Sequence, residues 1–69
     1  MHQFLVKVYR MEAGRAVRSD IKLEKRFNSP HEARCYIDRF NLKCVNDQGR
    51  QVAVAEYVGK IDSHTGQLV

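Results

Sequence analysis

Ser29-Pro30-His31-Glu32-Ala33-Arg34-Cys35-Tyr36-Ile37-Asp38-Arg39-Phe40-Asn41-Leu42-Lys43 is the stretch from which the fold of this chain is read. Ser29 stands at an N-cap position, where a hydroxyl accepts from one of the backbone N–H groups that a helix start leaves free. Pro30 follows at the first helical position, where its missing N–H costs nothing and its φ is already helical. Glu32 completes the capping-box pattern, and Phe27 with Ala33 occupies the positions of a hydrophobic staple. Ala33, Tyr36, Ile37 and Phe40 then recur at the spacing of one helical face, with Arg34, Cys35, Asp38 and Arg39 on the other. A helix with a single apolar stripe needs a surface to bury it against, and the flanking segments supply a sheet.

Residues 3–11 read as a strand, with Phe4, Val6 and Val8 in one phase and Leu5, Lys7, Tyr9 and Met11 in the other. Ala13-Gly14-Arg15 is a turn, and residues 16–27 return as a second strand in which Ile21, Leu23 and Phe27 alternate with Lys22, Glu24 and Arg26. Lys25 interrupts the apolar phase and is placed to snorkel at its edge. After the helix, Asn46-Asp47-Gln48-Gly49 signals a turn and residues 50–61 a third strand. Its two phases, Val52, Val54 and Val58 against Ala53, Ala55, Tyr57 and Ile61, are both apolar, which is the pattern of a central or doubly covered strand. Short extra strands are expected around 43–46 and 67–69. The reading is α+β: one domain over residues 1–69, ordered β-β-α-β(-β), an antiparallel sheet with one helix across one face.

At 69 residues a folded chain buries only about 60% of its unfolded surface, which leaves little room for a deep catalytic pocket. No catalytic or phosphate-binding motif is present, and the reading is of a non-enzyme without cofactor. His31 and Cys35 are four residues apart on one helix face, the spacing of a weak thiol pair or half a metal site. Only Cys44 and His64 remain to complete such a site, and neither has a spacing argument, so no metal site is assigned. Two cysteines do not make a disulfide framework, and with no signal peptide and no apolar run of membrane length the expectation is a cytoplasmic protein without membrane contact. The chain begins at Met1 without a tag-like segment, the form expected of a complete small gene product.

The net charge of +4 lies entirely before the helix: residues 1–27 carry seven cations and three carboxylates, while residues 28–69 carry five of each. If the first phase of each strand meets the helix, the opposite sheet face shows Tyr9 and Tyr57 among apolar groups, with Lys7, Lys22 and Arg26 between them. Arg10 and Arg18 flank that face. Lys7, Tyr9, Arg10, Arg18, Lys22, Arg26 and Tyr57 are therefore the candidate partner-binding residues. The function expected is that of a small stand-alone binding protein, an inhibitor or regulator that occupies an acidic or nucleic-acid-handling protein or a nucleoprotein complex. Small proteins of phages and mobile elements share this size and build, an analogy of architecture alone. The alternative is a nucleic-acid-binding module using the basic hairpin 3–27. The same face also fits the seam of a homodimer.

Two substitutions test the helix. Ser29→Ala is expected to lower stability by about 0.5–2 kcal/mol through the lost cap. Phe40→Ala is expected to cost roughly 3–5 kcal/mol if the ring is fully buried. Thermal melts measure both, and a Phe40→Ala protein that melts like the wild type would show the helical phase to be wrong.

Overall fold

In the computed structural model, which describes all 69 residues, the chain runs β1 (His2–Glu12), β2 (Arg15–Phe27), α1 (Pro30–Lys43) and β3 (Ala53–Asp62). Ser29 caps α1 in extended geometry (φ −143°, ψ 152°), and its hydroxyl accepts from the Glu32 N–H at 3.2 Å. At the other end the Cys44 N–H donates to the Phe40 carbonyl at 3.0 Å. The apolar stripe is buried as the spacing predicts: Val6, Val8, Ala33 and Ala55 form the core, with Phe4, Phe27, Tyr36, Ile37, Phe40 and Ala53 packed around it. Phe40 is only half-buried, so its truncation falls toward the lower end of the range for a buried ring.

The strands make one antiparallel sheet in the order β2-β1-β3. β1 and β2 are joined through Ala13 (φ 53°) and Gly14 (φ 77°), a two-residue loop with both residues left-handed, the geometry that matches strand twist in a hairpin. The central strand is thus β1, and β3 lies at an edge, so of the two positions its apolar phases allowed, central or covered on both sides, the central one does not hold. The extra strands expected around 43–46 and 67–69 appear as single bridges, Val45 to Gln51 and Ile61 to Leu68.

The phase of β3 is also the reverse of the expected one. Ala53 and Ala55 lie under α1, while Val54 is the register partner of Tyr9. The reason is the closeness of helix and sheet. The small Ala55 side chain is buried in the core, and α1 lies near enough to β3 for the Asn41 side chain to reach its backbone. The Asn41 carbonyl accepts from the Ala55 N–H at 2.9 Å, and its amide donates to the Ala55 carbonyl at 3.3 Å. A side-chain amide thereby takes the place of a neighbouring strand. Beyond a bulge at Val58, the C-terminal segment continues the closure: Val69 N–H bonds the Lys60 carbonyl, and Asp62 N–H bonds the Gln67 carbonyl, both at 2.9 Å.

The face away from α1 is covered in part by the chain itself, while Ile21, opposite Tyr9, stays 42% exposed. Leu5, Tyr9 and Ile61 are all buried there, without a second copy or partner. At one end Leu68 folds back so closely on Gly59 that a β-carbon there would stand 2.9 Å from its methyl. The turn that carries Leu68 is tied by the Asp62 carboxylate, which accepts from the N–H groups of His64 (2.7 Å) and Thr65 (3.2 Å). Those bonds hold Asp62 below its ordinary carboxylate range. No helix is long and apolar enough to cross a membrane.

Asn41→Ala is expected to lower stability by about 1–3 kcal/mol, because it leaves a part-buried Ala55 N–H and carbonyl without partners. For a domain of this size each kcal/mol corresponds to roughly 4–8 °C in Tm. An unchanged melt would mean that the Asn41 amide does not hold this edge.

Candidate binding surface

The sequence-predicted site residues do not assemble on one open face. Tyr9 is 8% exposed. The Arg18 guanidinium lies over its ring, 5.1 Å from the centroid, and is held there by a bidentate pairing with Glu56. Tyr57 points to the other side of the sheet, half exposed, where it lines a hollow of about 430 Å³ with Pro30, Arg34, Ile37 and Asp38. The paired tyrosine platform is therefore absent: one ring is covered and the other faces away.

The hairpin cations are mostly matched within the chain. Lys7 faces Glu24 at 3.7 Å, Arg10 bonds Asp20 at 2.6 Å and Glu12 at 3.1 Å, and Lys22 reaches Asp20 at 3.4 Å. Register breaks in β2 create this arrangement. Between the partners of Val8 and Arg10 the strand takes up extra residues at Lys22 and at 18–20, and the excursion carries Arg18 over Tyr9 and Asp20 to Arg10. The Arg10 hydrogen bond, helped by Lys22, holds the Asp20 carboxyl below its ordinary value. Arg26 forms no ion pair; its guanidinium lies against Gly66, 3.0 Å from where a β-carbon would stand. Arg26 is thus the one predicted cation left without a carboxylate.

A different group of cations comes together on the flank of α1 that faces β2. Phe27, Tyr36 and Phe40 form a row, with ring centroids 5.3 and 5.9 Å apart. Lys25 Nζ sits 5.1 Å above the Tyr36 ring, the snorkelling position expected of it. Further along, Tyr36, Arg39, Phe40, Lys43 and Cys44 line an open hollow of about 280 Å³. Lys25, Arg39 and Lys43 are exposed, and none is in an ion pair. The sequence carried part of this signal: Tyr36, Arg39, Phe40 and Lys43 repeat at three- and four-residue steps along one flank. Lys25 joins them only through the packing of β2 on α1.

His31 Nε2 and Cys35 Sγ lie 3.6 Å apart on the exterior of the helix. Cys44 lies instead in the hollow beyond Phe40, and no three His, Cys, Asp or Glu side chains converge. No family model matches this chain, and comparison with curated proteins and with solved structures gives no match.

The Asp20 pairing predicts a pH dependence with a definite sign. A carboxylate whose folded value lies below its ordinary 3.8 contributes stability that is fully present above that pH and is lost as the pH falls through the folded value. Asp20→Asn is therefore expected to melt below the wild type at neutral pH. The gap should close as the solution is acidified below about 3.8. A gap that persists in acid would place the stabilisation elsewhere than in the charge.

Proposed function

We propose that this chain is a non-catalytic binding protein, an inhibitor or regulator that works by occupying an anionic surface of a protein or nucleoprotein partner. The observation that carries the reading is the cluster on the α1 flank, where Lys25, Arg39 and Lys43 stand around Tyr36 and Phe40 with no carboxylate of their own chain to neutralise them. Other cations of the chain are unpaired too, Arg15 and Arg26 among them, but these three stand beside half-buried rings, where an anion gains most from binding. Aromatic rings ringed by cations supply both the apolar anchor and the electrostatic steering that interfaces use. The thin body, 42 × 24 × 13 Å between its Cα extremes, supports the same reading, since it offers surface rather than an enclosed site.

The second reading is a nucleic-acid-binding module. What favours it is the same pairing of rings and cations, which suits stacked bases and phosphates. The hairpin set of Lys7, Tyr9, Arg10, Arg18, Lys22, Arg26 and Tyr57 stays as the rival surface for either partner.

The test is recovery of partners from native host lysate, with and without nuclease, on three proteins. Lys25→Glu/Arg39→Glu/Lys43→Glu is expected to abolish recovery while folding normally, because exposed substitutions usually change stability by no more than about 0.5 kcal/mol each. Lys7→Glu/Lys22→Glu/Arg26→Glu is expected to retain most of it. Nuclease-resistant recovery supports the protein partner. Nuclease-sensitive recovery with a steep salt dependence, a log–log slope near −0.9 per phosphate contact, supports the nucleic-acid reading. Loss with the second variant and not the first would return the site to the hairpin.

A further inference from the structure

The two edges of the sheet are treated differently. On β3, Asn41 closes Ala55 and the C-terminal segment closes Lys60 to Asp62. On β2, neither a backbone group from outside β1 nor any side chain bonds the main chain of residues 15–27.

The register shows which groups are left open. Asn41 marks Ala55 as turned outward on β3, so its partner Val8 turns its N–H and carbonyl toward β2. Leu23, Lys25 and Phe27, the partners of Val8, Val6 and Phe4, therefore bond inward, and the N–H and carbonyl groups of Glu24 and Arg26 face out. Over this stretch the register is unbroken; its irregularities begin only beyond Leu23. The open edge also runs beside the α1 flank, because Lys25 and Phe27 of β2 both touch Tyr36.

We infer that β2 accepts an extended acidic peptide as a fourth strand along Leu23–Phe27, with alternate side chains of the peptide reaching into the groove bounded by Lys25, Tyr36, Arg39, Phe40 and Lys43. The inference rests on the anionic-partner reading above and names its mode. A strand edge alternates donors and acceptors, and a peptide backbone answers both, whereas a phosphodiester backbone offers acceptors alone. The charge of the groove selects carboxylates. A second copy of the chain is disfavoured by the same charges: β2 carries Arg15, Arg18, Lys22, Lys25 and Arg26 against Asp20 and Glu24, and edge-to-edge pairing would bring two such strands together. Lysine and arginine on an edge repel most strands, and an acidic one is the kind they admit.

Substitutions at Glu24 separate strand addition from simple charge attraction. A random-peptide display library selected on the protein is expected to yield sequences rich in Asp and Glu alternating with apolar residues. Glu24→Gln removes a negative charge and keeps the outward N–H, so the selected peptides should bind as well or better. Glu24→Pro removes the same charge and also the N–H. It breaks no main-chain bond to β1, the Lys7 ion pair is lost in both variants, and proline is tolerated where the N–H of an edge strand faces solvent. It should weaken the peptides roughly tenfold or more, since a backbone hydrogen bond is lost and the ring stands in the path of the added strand. On the wild-type protein, which needs no variant to fold, a bound peptide should slow hydrogen exchange at the Glu24 and Arg26 amides. Equal binding by the Gln and Pro variants, unprotected Glu24 and Arg26 amides, or selected peptides without acidic enrichment would each overturn the inference. So would oligothymidylate binding more tightly than any selected peptide. Loss on Lys25→Glu/Arg39→Glu/Lys43→Glu together with equal binding by the two Glu24 variants would remove strand addition and leave the anionic-partner reading standing. Insensitivity to that charge reversal would remove both.

Discussion

One helix covers one face of this sheet, and that limit governs the rest of the molecule. A three-stranded sheet in water has two faces and two edges, and α1 can bury only the face that carries Val6, Val8 and Ala55. The chain has no second helix for the other side. The far face is instead closed by short-range means: Leu68 folded onto Gly59, and Arg18 clamped over Tyr9 by Glu56. Each covers a few apolar atoms, and together they bury Leu5, Tyr9 and Ile61.

The close approach of α1 to β3 is seen at Asn41. Its amide bonds both main-chain groups of Ala55, whose small side chain is buried in the core. The helix therefore does two things: it supplies apolar cover and it closes the N–H and carbonyl of Ala55. Its other flank stands beside the open edge of β2 with its cations free. The asymmetry of the fold, one edge partly closed and one open, follows the helix flanks: one carries the Asn41 amide and the other Arg39 and Lys43.

Charge in this chain is a matter of position more than of total. The excess before the helix is real, yet Lys7, Arg10, Arg18 and Lys22 all find carboxylates. These are exposed pairs that add little to stability. Their consequence is electrostatic. They offset four of the seven hairpin cations and leave Arg15, Lys25 and Arg26 unmatched, and Lys25 joins Arg39 and Lys43 of α1 beside Tyr36 and Phe40.

What the sequence by itself determined was everything governed by neighbours along the chain. The Ser29 cap, the Pro30 start, the four-residue stripe, the turn at Ala13-Gly14 and the α+β order all depend on interactions within a few residues, and each is where its local signals place it. The strand order, the phase of β3 and the pairing of the cations were decided only in three dimensions. Both phases of β3 are apolar, so periodicity left its face open, and in the fold Ala53 and Ala55 are the ones packed under α1. Bulges at Val58, at Lys22 and at residues 18–20 then shifted side chains from one face or partner to another, by register changes that leave no mark on hydrophobic alternation. Tyr9 and Tyr57 shared a phase in the sequence and lie on opposite sides of the sheet, because alternation counts residues and a sheet counts hydrogen-bonded partners.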